Sequence, residues 1–404
     1  LNVIYSKPAI TEQWFTLPLV WLLFAISSFV FIEPPPFDLL AMALIILFYI
    51  LGLKIPVGIR PGVLLLGGFL LANVVSCIYS ADPAATIKSL LIRFYLVISW
   101  IFLVSLIYES PQRVLKTIWN GYMFAATIAA ILGIAAFFDL LPAFRDQLIE
   151  FGRVRSLFKD PNVYGPFLVP VAIYAFSRLV SGETHRRLSY TLFFLLMLMG
   201  ILLGFSRGSW INSIVSFAIY MGMTITTSTD SAKRKRLASF SGIFIILALL
   251  IGGISLTTEK VQHMIEIRTK LQKYDLQAGG RFENQLVTLE NSLINPLGVG
   301  AGQSELIFFR APHNIYIHVL IESGWIGAVC FYVFLAVTLY QGYKSSLRPS
   351  PIQPITIVAL ACLLGILAQS VAIDSTHWRH LYLLFAMIWG SALALQDKPY
   401  ASST

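Results

Sequence analysis

Arg310-Ala311-Pro312-His313-Asn314-Ile315-Tyr316-Ile317-His318-Val319-Leu320-Ile321-Glu322 is the seam at which this chain turns from polar to apolar. Before it, from Thr257 to Pro312, runs a long polar stretch. After it, an apolar run continues to about residue 341. A polar excursion that delivers a histidine to a helix start at a membrane surface has the form of an active-site loop. The rest of the chain then reads as its scaffold.

Composition supports that division. The chain is 57% hydrophobic and 12% charged, with a mean hydropathy of +0.76, far more apolar than a soluble protein of this size. A bilayer core takes about 20 apolar residues per helix. Twelve candidate spans follow, at roughly 16–32, 37–52, 62–78, 90–107, 120–138, 164–178, 188–205, 208–222, 241–256, 314–341, 353–373 and 380–395. The expectation is an all-α polytopic membrane protein, residues 1–404 forming one transmembrane domain, with a helical loop at 257–312 between spans nine and ten. No A-x-A-like cleavage site follows the first span, which is therefore expected to be retained.

Basic loops set the sidedness. Lys54 and Arg60, Arg113 and Lys116, Arg178 with Arg186 and Arg187, Lys233-Arg234-Lys235-Arg236, and Lys344 with Arg348 fall in alternate loops. They predict cytoplasmic termini and put 257–312 on the opposite face. That face still holds many basic residues. They are either solvated charges balanced by acids or anion contacts, and the arginines at helix ends carry the second reading. Cys77, Cys330 and Cys362 lie in apolar spans and read as small buried hydrophobes, with no disulfide or metal framework.

Several stretches carry chemistry. Asp160-Pro161-Asn162 follows a moderately long loop bearing Arg145, Arg153, Arg155 and Lys159, and suits ordinary helix capping. Gly204-Phe205-Ser206-Arg207-Gly208-Ser209-Trp210 puts an arginine between two apolar runs, which is costly unless it reaches water, headgroups or an anion. In the long loop, Val261, Met264, Ile265 and Leu271 fit one helical face. Gly279-Gly280-Arg281 then opens a second helix with the stripe Phe282, Leu286, Leu289 and Leu293, expected to pack on the membrane domain or its interface. An arginine in a first helical turn strengthens an anion site there. Pro296-Leu297-Gly298-Val299-Gly300-Ala301-Gly302 reads as a flexible turn, without the lysine or strand–helix context of a nucleotide loop.

At the seam itself, His313 sits at the water boundary, where the helix dipole and Arg310 disfavour its protonated form. A neutral imidazole is what a general base requires. Asn314, His318 and Glu322 recur at four-residue intervals as a polar ladder, most simply a satisfied interhelical network. Asp374, Ser375, His377, Arg379 and His380 crowd a late turn. They line the same cavity or take a cation, but match no strong metal motif.

Taken in order, Asp160-Pro161-Asn162, Ser206-Arg207-Gly208-Ser209-Trp210, Gly280-Arg281-Phe282, Pro296-Leu297-Gly298-Val299-Gly300 and His313-Asn314 running to Glu322-Ser323-Gly324 resemble the O-antigen ligase and polymerase family of bacterial envelope enzymes. The likeness spans roughly residues 150–340. It implies a membrane glycosyltransferase of the GT-C type in the bacterial inner membrane, its site facing the periplasm, acting in lipopolysaccharide biosynthesis. The implied donor is a glycan on undecaprenyl pyrophosphate. The acceptor is lipid A–core oligosaccharide in the ligase branch, or another lipid-linked repeat in the polymerase branch. The 257–312 loop is more than twice as long as that at 139–162, which favours the ligase, since polymerases tend to have two comparable loops.

On this resemblance Arg207 and Arg281 bind the pyrophosphate, as bidentate guanidinium groups suit, and His313 is the base for an inverting transfer. Arg153, Arg155, Arg310, Asn314, His377 and Arg379 are weaker substrate-binding candidates. No cofactor, metal or nucleic acid is expected; membrane lipid is. The rival class is a non-catalytic lipid-linked sugar transporter, for which internal repeats and charges across the bilayer would be expected.

Overall fold

The computed structural model describes residues 9–182, 186–255, 259–269, 280–308 and 312–397. Among them the chain is helical except for one short hairpin. Helices α1 (Thr16–Ala25), α2 (Pro36–Leu51), α3 (Arg60–Ser76), α4 (Pro83–Glu109) and α5 (Pro111–Phe137) precede a one-turn α6 (Arg145–Leu148) and strands β1 (Ile149–Glu150) and β2 (Arg153–Val154). Then follow α7 (Pro161–Ser181), α8 (Arg187–Leu203), α9 (Arg207–Thr227), α10 (Ser231–Ser255), α11 (Glu259–Thr269), α12 (Arg281–Ile294), α13 (Ser304–Ile307), α14 (Ile315–Ser346), α15 (Gln353–Gln369) and α16 (Arg379–Asp397). Proline opens α2, α4, α5 and α7, where its missing N–H loses no bond and its fixed φ suits the first turn. Asp82 caps α4 by accepting from the amides of Ala84 and Ala85 at 2.9 and 3.1 Å.

Five of the described helices are long and apolar enough to cross a membrane: Val57–Tyr79, Pro83–Glu109, Pro111–Phe137, Pro161–Ser181 and Ile315–Ser346. The apolar runs of the sequence predict twelve. Four more apolar helices, α1, α2, α8 and α15, have only 10–17 residues, because the apolar runs include turn residues as well as helix. The run 16–32, for example, is helical only over Thr16–Ala25. Helix α9 is long but carries Asn212 and Ser216, which lower its hydropathy. Both are buried, in a chain that runs from Ser216 to Asn212 Oδ1 at 3.0 Å and from Asn212 to Gln369 Oε1 of α15 at 3.0 Å. The core is aromatic: Trp119 stacks on Tyr174 at 4.4 Å, and buried Trp389 stacks on Phe334 while donating to Thr338.

Of the two packings open to the apolar stripe of the long loop, the structure leaves the interface. In α12 the stripe Phe282, Leu286, Leu289 and Leu293 faces outward, and Gln285, Thr288 and Ser292 are the buried side. The polar face is held by specific bonds, Gln285 Nε2 donating to the carbonyls of Val371 and His313, and Trp325 Nε1 donating to the carbonyl of Ser292. The apolar face is thereby left to the surroundings, as in helices that lie at a bilayer interface. In α11, Val261 and Met264 are buried as the pattern requires; Leu271 lies outside the described residues.

The Gly-rich turn is a structural clasp. Helix α14 breaks at Gly324, whose φ is +66°. A helix broken among apolar neighbours leaves backbone groups unpaired. The turn supplies partners: Val299 N donates to Ile321 O at 2.9 Å, Gly300 N to Glu322 O at 3.3 Å, and Trp325 N to Pro296 O at 2.9 Å. A Cβ on Gly324 would lie 2.4 Å from the Pro296 carbonyl oxygen, so the two chains meet backbone to backbone. The next residues are fixed as well. Gln303 accepts from the amides of Ala81 and Asp82 and donates to Asp82 O and Thr86 Oγ1, which docks the turn on the start of α4.

Candidate functional site

A cavity of about 880 Å³ opens where several helices begin. Asp160 and Asn162 at the start of α7, Ser206, Arg207 and Gly208 at the start of α9, and Arg281 and Phe282 at the start of α12 line it. His313, one residue before the N-cap of α14, lines it too. Helix N-termini carry partial positive charge and N–H groups that favour anions; here they converge with Arg153, Arg207 and Arg281, beside the acids Asp160, Glu305 and Asp374. Asp160, Ser206 and Asn314 cap α7, α9 and α14 with their side chains, whereas Gly280 at the head of α12 has none to offer.

Local sequence explains the convergence. Phe205 and His313 both adopt left-handed backbone conformations, φ +42° and +47°, and each is followed by an extended N-cap residue. That pair of conformations turns the chain sharply into the helix; a non-glycine residue there costs roughly 1–3 kcal/mol. Gly165 lets α7 and α9 touch near their starts, since a Cβ there would fall 2.2 Å from Ser209 Oγ. The hairpin β1–β2 pairs Ile149 with Val154 and Glu150 with Arg153 across Phe151 and Gly152, both at positive φ as two-residue hairpin turns require. This delivers Arg153 into the cavity wall. Its guanidinium donates to Gly204 O at 3.1 Å and Asn162 Oδ1 at 2.7 Å, and Ser206 Oγ donates to the same Asn162 oxygen at 2.9 Å. One arginine thus ties together the starts of α7 and α9.

The structure therefore brings Arg153, Arg207, Arg281, His313 and His377 to one cavity. Burial lowers the proton affinity of His313 below the ordinary imidazole range, and the nearby Arg281 lowers it further, partly offset by Glu305, Asp374 and Asp160. Both effects favour the neutral imidazole, the form able to accept a proton. The other candidates are elsewhere or otherwise engaged. Arg155 donates to the carbonyls of Gln147 and Asp146 and lies 3.6 Å from Glu150, bracing the 139–162 loop beside a different cavity. Arg379 is held by Asp38 through two bonds of 2.5 Å. Asn314 is a helix cap, its oxygen accepting from Tyr316 N and Ile317 N. Arg310 lies outside the described residues.

Behind the cavity runs a buried polar chain. Arg93 of α4 bonds Asn73 and Glu322. Glu322 Oε1 accepts from Ser304 Oγ at 2.7 Å, and its Oε2 lies 3.2 Å from His318 Nε2. His318 Nε2 is 3.7 Å from Asp374 Oδ2, which is 3.3 Å from His377 Nε2. The ladder read from α14 is thus a network in respect of His318 and Glu322, while Asn314 caps. Sequence reasoning misses Arg93, because hydropathy marks the first four spans as poor in chemistry. A lone arginine inside an apolar run is the available signal.

Residues 192–332 match a family model described as O-antigen ligase. The match begins in α8 and ends in α14, so it includes Arg207, Arg281, His313 and the Gly-rich clasp. Arg153, Asp374 and His377, which line the same cavity, lie outside it. Over that part the chain carries a region similar to this family, in keeping at a general level with the resemblance its motifs suggest. No curated protein matches the chain. The helices that are long and apolar enough to span a bilayer agree with a membrane protein.

Proposed function

We propose that this protein is an inverting, metal-independent glycosyltransferase of the O-antigen ligase type. It transfers a glycan from undecaprenyl pyrophosphate to lipid A–core oligosaccharide at the outer face of the bacterial inner membrane. On this reading the shorter apolar helices join the five long ones in the bilayer, and the cavity opens to the periplasm. Arg207 and Arg281 take the pyrophosphate, helped by the positive end of the α12 dipole, and neutralise the charge that develops as the sugar–phosphate bond breaks. His313 removes the proton from the acceptor hydroxyl, which attacks the anomeric carbon from the face opposite the pyrophosphate. Arg153 holds the cavity wall in register.

The observation that carries this reading is the meeting of Arg207, Arg281 and His313, whose proton affinity burial and Arg281 lower, in one cavity. These residues come from segments far apart in sequence. A structural helix bundle has no need to gather two arginines and a histidine at its helix starts. The deciding experiment gives purified protein a defined lipid-linked glycan and, as acceptor, either lipid A–core or a second lipid-linked repeat. Transfer to lipid A–core is expected. Transfer to the repeat alone would make the protein a polymerase, and transfer to neither would remove the enzymatic reading.

A further inference from the structure

Helices α9 and α15 meet along two stripes. Gly208, Asn212 and Ser216 follow one another at four-residue intervals on α9, and Gly365 and Gln369 do so on α15, so each set shares one helical face. The approach is close away from the cavity, where a Cβ on Gly365 would fall 2.0 Å from Ser216 Oγ. From there the polar groups pair in one direction. Ser216 Oγ donates to Asn212 Oδ1 at 3.0 Å, and Asn212 Nδ2 donates to Gln369 Oε1 at 3.0 Å. The chain therefore ends on the amide nitrogen of Gln369.

That nitrogen has no hydrogen-bond partner among the described residues, although Gln369 is only 1% exposed. A buried donor without an acceptor costs free energy. Joining two helices does not explain it, since the Oε1 atom alone makes that bond. Gln369 lines the cavity together with Arg207 and Gly208. A Cβ on Gly208 would lie 3.0 Å from Gln369 Cγ and 3.4 Å from its Nε2, so the bare Cα of Gly208 gives the amide its room beside the start of α9. Two acids of the same cavity are engaged elsewhere. Asp374 accepts from the amide and hydroxyl of Thr376, and Asp160 accepts from Asn162 N.

We propose that Gln369 is a neutral substrate-binding residue, its Nε2 donating a hydrogen bond to an oxygen of the donor's diphosphate, with Asn212 and Ser216 as positioning residues. The inference rests on the reading of this cavity as a pyrophosphate site. An amide nitrogen can only donate, so its partner must be an acceptor. A diphosphate has more acceptor oxygens than two guanidinium forks fill. Asn212 holds Oε1, which fixes the amide plane and leaves the nitrogen as the free end. One hydrogen bond to a charged oxygen is expected to be worth about tenfold in affinity.

The test titrates inorganic pyrophosphate into the purified full-length protein in neutral detergent micelles at pH 7, by calorimetry, alongside Gln369→Met and Gln369→Glu. Methionine keeps the length and removes the donor. Glutamate keeps the shape and an oxygen for Asn212, but puts a carboxylate oxygen where the N–H group was. The wild type is expected to bind, Gln369→Met to bind about tenfold more weakly, and Gln369→Glu more weakly still. Wild-type binding with both variants unchanged overturns the inference and leaves the pyrophosphate reading standing. No binding by the wild type removes both. Tighter binding by Gln369→Glu than by Gln369→Met also overturns it, because the side chain would then matter only as a partner for Asn212. If Gln369→Met does not fold, Gln369→Glu decides alone, and undiminished affinity in that variant overturns the inference.

Discussion

Replacing Arg93 by methionine removes one charge from the most buried ion pair among the described residues while keeping an unbranched apolar stem. Arg93 is 5% exposed and Glu322 is fully buried. Breaking a buried pair from one side typically costs about 3–5 kcal/mol, because the remaining charge is left without its partner. Here Glu322 would keep Ser304 at 2.7 Å and His318 at 3.2 Å, and Asn73 would lose its arginine donor. The loss should therefore fall near the lower end, about 3 kcal/mol. Glu322→Gln alone should cost a similar amount by stranding Arg93. The double variant should cost clearly less than the sum of the two, with a coupling of about 1–3 kcal/mol, as expected for residues in direct contact. Equilibrium unfolding of purified protein in mixed detergent micelles, followed by tryptophan fluorescence, measures all three. Additive losses, or an Arg93→Met loss below about 1 kcal/mol, would show that the pair is solvated and that the chain behind the cavity is not the rigid support described here.

Other outcomes follow from the same geometry. His313→Ala should lower the transfer rate by about 10²–10⁴ while leaving donor binding intact; unchanged transfer, with the catalytic loss confined to His318→Ala, would move the base one helical turn deeper. Because burial and Arg281 lower the proton affinity of His313, the base becomes protonated at a lower pH than an ordinary imidazole. The acid limb of kcat/KM should therefore lie below about pH 6.5, and a limb above that value contradicts the assignment. Arg207→Lys and Arg281→Lys should each lose most transfer, since a point charge does not replace a two-pronged guanidinium; full activity in both would reduce them to packing groups. A cysteine placed at Glu290 on α12, in a chain with Cys77, Cys330 and Cys362 replaced, should be labelled by an impermeant reagent from the periplasmic side, and labelling only from the cytoplasm would invert the proposed topology.

Local chemistry was legible in the sequence where it depended on residues near one another. Asp160 caps its helix and Arg281 stands in a first turn after glycine, as read, whereas Asn314, read as a rung of a polar ladder, is a cap. The number of bilayer-length helices was not legible, because hydropathy counts apolar turn residues such as Ile26 and Phe29 together with helix. The outward stripe of α12 was ambiguous for a related reason: periodicity marks an apolar face but not what it meets, and in a membrane protein the surroundings are apolar as well. Arg379 and Arg155 could not be separated from Arg207 by type or spacing. Only tertiary placement shows that Asp38 and the 139–162 loop claim the first two.

The break at Gly324 bears on how such proteins can be recombined. The carbonyls freed there are met by amides of residues 299 and 300, and the Pro296 carbonyl is met by Trp325 N. Loop and helix thus share one hydrogen-bonding inventory. An exchange of the polar loop between homologous chains that joined them at residue 312 would import a turn shaped for another helix's break and leave both backbones short of partners. Chimeras designed to swap acceptor preference should place the junction after residue 325, so that each break travels with the turn that closes it.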